Sequence, residues 1–160
     1  MFHRVTLIGR VGRDPEMRYT PDGTPVTDFS VATTQTISKT MPGGSERPCP
    51  NGWKESYNGR NWEVTIWWRV TCWRGLAETV NQYLSKGRQV FVEGEMAGEA
   101  VNGVLNPRVW TGNDGVARAS FEITARMVKF LGGRGDVEAA GGAPIGEPPP
   151  EGFEESDLPF

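Results

Sequence analysis

The chain is poor in the residues that metal and redox chemistry require. It has one histidine, His3, and two cysteines, Cys49 and Cys72, which form no Cys-x-x-Cys pair. These residues offer no zinc-ligand spacing, and two cysteines do not make a disulfide framework. A reducing compartment is the default for such a composition. No glycine-rich loop is placed to cradle phosphate, and no nucleophile stands beside a base, so neither an enzyme nor a bound cofactor is expected. No apolar run approaches membrane-spanning length, and mean hydropathy is -0.46. Met1-Phe2-His3-Arg4-Val5 runs straight into a strand pattern with no secretory core. A soluble cytoplasmic protein with no membrane partner is expected.

Charge of one sign is scarce at one end. The net charge is -3, but residues 1–131 hold sixteen Lys+Arg against thirteen Asp+Glu, while residues 132–160 hold one Arg against seven acids. A mildly basic body suits a polyanion, and an acidic tail suits something basic. Residues 132–153 are rich in Gly and Pro and read as a disordered linker, because they cannot bury enough apolar surface to offset their ordering entropy. The last residues, Glu154, Glu155, Asp157, Leu158, Pro159 and Phe160, place three carboxylates before a short apolar tip. That pattern predicts a docking peptide, with the acids on a partner's basic residues and Phe160 in an apolar pocket.

Most of residues 1–131 reads as strand. Arg4 to Gly9, Val26 to Thr36, Asn61 to Trp73, Gln89 to Met96 and Ala119 to Phe130 are the five strong candidates. Residues 38–61 break the pattern with Gly, Pro and polar residues and read as a long loop or hairpin arm. Asn102-Gly103 and Asp114-Gly115 are turn signals inside a second excursion. Gly75 to Lys86 is the one helical stretch, with Leu76, Val80, Tyr83 and Leu84 on its apolar face and Gly87 closing it. Strands interrupted by one helix between the third and fourth predict a five-stranded Greek-key barrel of the OB type, with extended hairpin loops and a disordered tail.

Six tryptophans are present, and four of them stand at positions 62, 67, 68 and 73. Period-2 alternation divides 61–73 into two faces. Val64, Ile66, Trp68, Val70 and Cys72 form an apolar face directed to the core or a subunit contact. Glu63, Thr65, Trp67, Arg69, Thr71 and Trp73 form a face that no core would select. Arginines at 13, 69, 74, 108 and 118 are candidate phosphate contacts. Aromatic platforms among cations are what single-strand binding requires: bases stack on the rings while cations follow the phosphates. Trp110 falls in the turn-rich excursion, and Trp53 and Trp62 flank the long loop.

Residues 5–33, including Gly12-Arg13-Asp14-Pro15-Glu16, resemble the opening of bacterial single-stranded DNA-binding proteins. Trp68-Arg69-Val70, Leu76-Ala77-Glu78, Tyr83-Leu84-Ser85-Lys86-Gly87 and Val92-Glu93-Gly94 follow the same pattern, as does the acidic tip. The resemblance spans nearly all of 1–131. It implies an OB-fold binding and oligomerisation domain there, assembling as a homotetramer that coats single-stranded DNA in the nucleoid. It implies stacking by Trp67, Trp73 and Trp110, and recruitment of replication and repair proteins through 154–160. A fourth aromatic of the family falls near Ile37, which has no π face, and Trp53 or Trp62 is the candidate replacement. Other readings are an OB-fold adaptor of the primosome type, with weak nucleic-acid binding, and an RNA chaperone.

Overall fold

The computed structural model describes residues 3–132. Eleven strands and one helix follow in chain order: β1 (Val5–Val11), β2 (Glu16–Tyr19), β3 (Pro25–Ser38), β4 (Lys54–Glu55), β5 (Asn61–Trp73), α1 (Gly75–Tyr83), β6 (Gln89–Ala97), β7 (Glu99–Val101), β8 (Val104–Asn106), β9 (Val109–Thr111), β10 (Ala117–Ala119) and β11 (Phe121–Leu131). Five of them close a barrel. The ring runs β3-β1-β6-β11-β5 and returns to β3 through a β3–β5 ladder. The β5–β11 pair is parallel and the other four are antiparallel. This is the OB barrel, with α1 connecting its third and fourth strands along the chain and packing chiefly against β3 and β5. β2 and β4 are short additions at the margins of the sheet.

The barrel interior is apolar. Leu7, Val11, Phe29, Val31, Val70, Cys72, Val90, Val92 and Ile123 fill it, and Ala77 and Val80 of the helix, with Leu84 just past its end, pack against them. Burial pushes the Cys72 thiol up to about 12, so it remains a small apolar side chain rather than a reactive one. Thr27, fully buried, donates its hydroxyl to the Ala77 carbonyl and so satisfies the one polar group under the helix at that point.

The helix is shorter than its apolar spacing predicts. It ends at Tyr83, and Leu84 turns extended while its N–H still bonds Val80 O. Beyond Ser85, two amides are taken by β1 and the turn that follows it. Lys86 N–H donates to Asp14 Oδ1 at 2.7 Å and Gly87 N–H to Val11 O at 2.8 Å. Tyr83 is 55% exposed and Ala77 takes the buried place expected of it.

The two excursions are ordered hairpins. In the first, β3 and β5 continue far past the barrel, with Ser38 opposite Asn61, and β4 adds to the edge of β5. Residues 38–61 are therefore a built arm rather than a loop. In the second, Asn102 (φ 51) and Gly103 (φ 78) make the two-residue turn joining β7 to β8, both in the left-handed region that such a turn demands. β9 and β10 form a further hairpin around 112–116. The predicted linker beyond Gly132 and the tip 154–160 lie outside the described residues.

Candidate nucleic-acid interface

β5 positions the central part of the interface. Its register with β3 sets Trp67 opposite Ala32, Arg69 opposite Ser30, Thr71 opposite Asp28 and Trp73 opposite Val26. Cross-strand partners share a face, so Trp67, Arg69, Thr71 and Trp73 line the outside of the barrel. Trp73 is 44% exposed at the strand end, and Trp67 is half-buried. On the opposite face only Val70 and Cys72 are fully buried. Val64, Ile66 and Trp68 are half-buried, because β11 pairs with β5 only from Trp68 to Thr71. Trp68 packs on the core, donates its indole N–H to Thr33 Oγ1 at 2.9 Å and lies 5.3 Å from the Phe121 ring.

Trp67 has a specific floor. A Cβ placed on Gly12 would stand 2.3 Å from the indole ring and 2.9 Å from Ser30 Oγ. Gly12 N–H also donates to Ser30 O at 3.0 Å, which extends the β1–β3 contact beneath the ring. Glycine is required here for close approach rather than for backbone freedom. Arg13 follows directly and is half-buried.

Trp110 is held from two sides. Its indole N–H donates to Ser120 Oγ at 3.2 Å, and the Arg118 guanidinium lies 5.4 Å from the ring centroid. Ser120 precedes Phe121, the β11 residue paired with Trp68, so this hairpin grows from the Trp67–Trp68 end of β5. Arg118 is in turn clamped by both oxygens of Asp114. Those bonds, with the Val116 N–H, hold the Asp114 carboxyl down at about 2.

The other expected cations divide by partner. Arg69 Nη2 lies 3.4 Å from Asp28 Oδ2, and the same carboxylate takes Arg18 and the Thr71 hydroxyl. Arg69 and Arg118 are therefore already ion-paired within the protein. Arg74 is exposed beside Trp73, with φ 56 at the helix start and its N–H on Pro25 O. Arg108 stands at the base of the β9–β10 hairpin, where its carbonyl accepts Ser120 N–H.

Trp62 pairs with Ile37 and shares the strand parity of Trp68, so it does not join the Trp67 face. Its N–H donates to Arg47 O at 3.0 Å, and Lys39 Nζ sits 4.3 Å from its ring centroid. Trp53 is half-buried at the foot of β4, its carbonyl 3.3 Å from Cys49 Sγ. The arm holds both residues.

Residues 2–131 match the single-strand binding protein family. The chain belongs to that family. A single-stranded DNA-binding protein of Neisseria meningitidis serogroup A is 40% identical over 91% of this chain and 67% of its own length. Single-stranded DNA-binding protein 1 of Xylella fastidiosa is 37% identical over 91% of this chain and 88% of its own. The fold resembles that of the Plasmodium falciparum SSB solved in complex with ssDNA, with a TM-score of 0.54, 23% identity, and coverage of 82% of this chain and 97% of that one.

Sequence reading alone misses Gly12 as the seat of Trp67 and Asp28 as the carboxylate that gathers Arg18, Arg69 and Thr71. It could have assigned Trp62, whose even position matches Trp68. Among the described residues no cluster of three or more metal-ligating side chains occurs, and no helix is long and apolar enough to cross a membrane. Gly12→Ala is expected to lift the Trp67 ring, altering intrinsic tryptophan emission and weakening oligo-dT binding about five-fold or more, as partial loss of a stacking contact worth ~1–3 kcal/mol implies. Emission and affinity identical to wild type would show that the ring does not rest on Gly12.

Proposed function

We propose that this protein coats single-stranded DNA without sequence preference and without catalysis, during replication, recombination and repair, in the cytoplasm at the nucleoid. The observation that carries this reading is the pair Trp67 and Trp73 on the outer face of one strand, with cations between and beside them. They stand six positions apart, about 20 Å along a strand, which places two stacking platforms on one path. Family membership and the names of the relatives support the same reading. Bases stack on Trp67, Trp73 and Trp110, and phosphates meet Arg13 and Arg74 first, since Arg69 and Arg118 are held by Asp28 and Asp114. Trp62 and Trp53 serve the arm before they serve DNA.

The barrel carries a second surface that suits a copy of itself. Ile8 is 57% exposed and Met127 is 39% exposed on the outside of β1 and β11, with half-buried Phe91 opposite Ile8 between them. β1 pairs with β3 only at Arg10 and Val11, so among the described residues the edge of Val5 to Ile8 away from β6 carries no partner strand. We assign this edge to homo-oligomerisation, with four copies following from the family resemblance. Light scattering should give four chain masses, falling for Ile8→Lys. A wild-type monomer would reject the assignment.

The acidic tip 154–160 is assigned to recruitment of replication and repair proteins. Deleting it should leave oligo-dT affinity unchanged or raised, while capture of those proteins is lost. Capture by the truncated chain at wild-type level would end that assignment.

The binding reading is tested by tryptophan fluorescence during titration with oligo-dT and with duplex of equal length, at low and high salt. Strong quenching by oligo-dT, weak quenching by duplex and weaker binding at high salt are expected, because phosphate neutralisation releases counterions. Equal response to both nucleic acids would overturn it and favour the adaptor reading.

A further inference from the structure

The arm ends in a turn whose construction leaves one aromatic ring without a task. Beyond Trp68, β5 leaves β11 but stays paired with β3 as far as Ser38 opposite Asn61. Seven residues of paired strand, about 23 Å at the usual rise, therefore project from the barrel. At the tip, Ser56 N–H donates to Asn61 O and Gly59 N–H to Ser56 O, both at 2.9 Å. Asn58 Oδ1 accepts the Ser56 hydroxyl at 2.8 Å and the Arg60 N–H at 2.9 Å, and Ser56 Oγ accepts Asn61 N–H at 3.1 Å. Ser56 is buried beneath this network, and Tyr57 is 95% exposed above it.

A turn this fully bonded is not loose, so Tyr57 is presented by a fixed backbone. The neighbours Ser56, Asn58 and Gly59 are small or polar, which leaves no apolar patch for a protein partner to bury. The arm's charge favours a polyanion. The arm's cations are Lys39, Arg47, Lys54 and Arg60 against Glu46, Glu55 and Glu63, and with Lys39 paired to Glu55 and Lys54 to Glu63, Arg47 and Arg60 are the cations left to draw one in. Arg60 is exposed beside Tyr57 and has no carboxylate partner among the described residues.

We propose that Tyr57 is a further base-stacking platform for single-stranded DNA, with Arg60 on the neighbouring phosphate, carrying the bound strand outward along the arm. This rests on the binding function proposed above. It also reassigns the extra aromatic contact of the arm from Trp62, whose ring is engaged by Lys39, to a ring that is open.

The full chain should be titrated with oligo-dT of about 4 to about 16 nucleotides, the range that one OB barrel covers. Photocrosslinking with iodouracil-substituted oligonucleotides would accompany each length. Tyr57→Ala should match wild type on the shortest oligonucleotides and fall behind by about five-fold to a hundred-fold on the longer ones. Tyr57→Phe, which keeps the π face, should restore binding, and the crosslink should map to Tyr57 at the longer lengths only. Equal affinity of wild type and Tyr57→Ala at every length, with no crosslink at 57, would overturn the proposal. A defect confined to cooperative coating of long DNA, again without a crosslink, would overturn it in favour of contact between copies. Failure of the wild type to bind any of these oligonucleotides would instead defeat the parent reading, and this one with it.

Discussion

The placement of Trp67 and Trp73 on one outer face depends on the β3–β5 ladder. That ladder runs unbroken from Val26 opposite Trp73 to Ser38 opposite Asn61. One end closes the barrel and the other builds the arm. A slip of one residue in this register would turn Trp67 and Trp73 inward and expel Val70 and Cys72. Burial on the inner side holds the register: Val31, Val70 and Cys72 are fully enclosed, and each valine would lose about 1.5–3 kcal/mol of transfer free energy on exposure. The aromatic face is thus held in place by the aliphatic one, and the exposed rings need contribute nothing to the fold.

The same ladder sorts the cations. Asp28, opposite Thr71, draws Arg69 and Arg18 to one point on the outer face. An ion pair at this depth gains less than its geometry suggests, because both groups give up hydration. What it does supply is order: Arg69 is fixed between Trp67 and Trp73 rather than sweeping across them. Charge near the platforms therefore comes in two kinds, arginines tied down by carboxylates and arginines such as Arg74 that stand exposed at the strand end.

Alternation makes the central strand legible from sequence, since period-2 patterning alone separates Trp67 from Trp68. The barrel follows from five such strands and a helix between the third and fourth. Other features resist reading because their cause is non-local. The helix stops at Tyr83 because Asp14 and Val11, more than seventy residues earlier, accept the amides of Lys86 and Gly87. β2, only four residues long, has no periodicity of its own to detect and exists through its pairing with β3. Residues 38–61 look like a loop because Gly and Pro interrupt them, yet Thr40 bridges Glu46 and β4 returns to β5. Gly12 matters through a ring fifty-five positions away. Tyr57 carries no signal in a sequence whose tryptophans dominate attention, and its exposure emerges only once the turn around it is closed.

As stacking platforms on the proposed reading, Trp67, Trp73 and Trp110 are not equivalent, and the difference follows from what already covers each ring. Trp73 is open at the strand end, so a base gains the stacking contact with little given up. Trp67 lies against Gly12, so its other side is the one that would receive a base, and the ring is held from beneath. Trp110 has the Arg118 guanidinium near its ring, a contact worth ~0.5–1 kcal/mol at an exposed site. A base that stacks on the covered side must displace a cation anchored by Asp114, and that exchange subtracts from the gain. The displaced guanidinium would then be released beside a phosphate backbone, so part of the loss returns as charge neutralisation. On the proposed reading, binding at Trp110 is coupled to salt more strongly than binding at Trp73, because of the two only Trp110 has a cation for stacking to free.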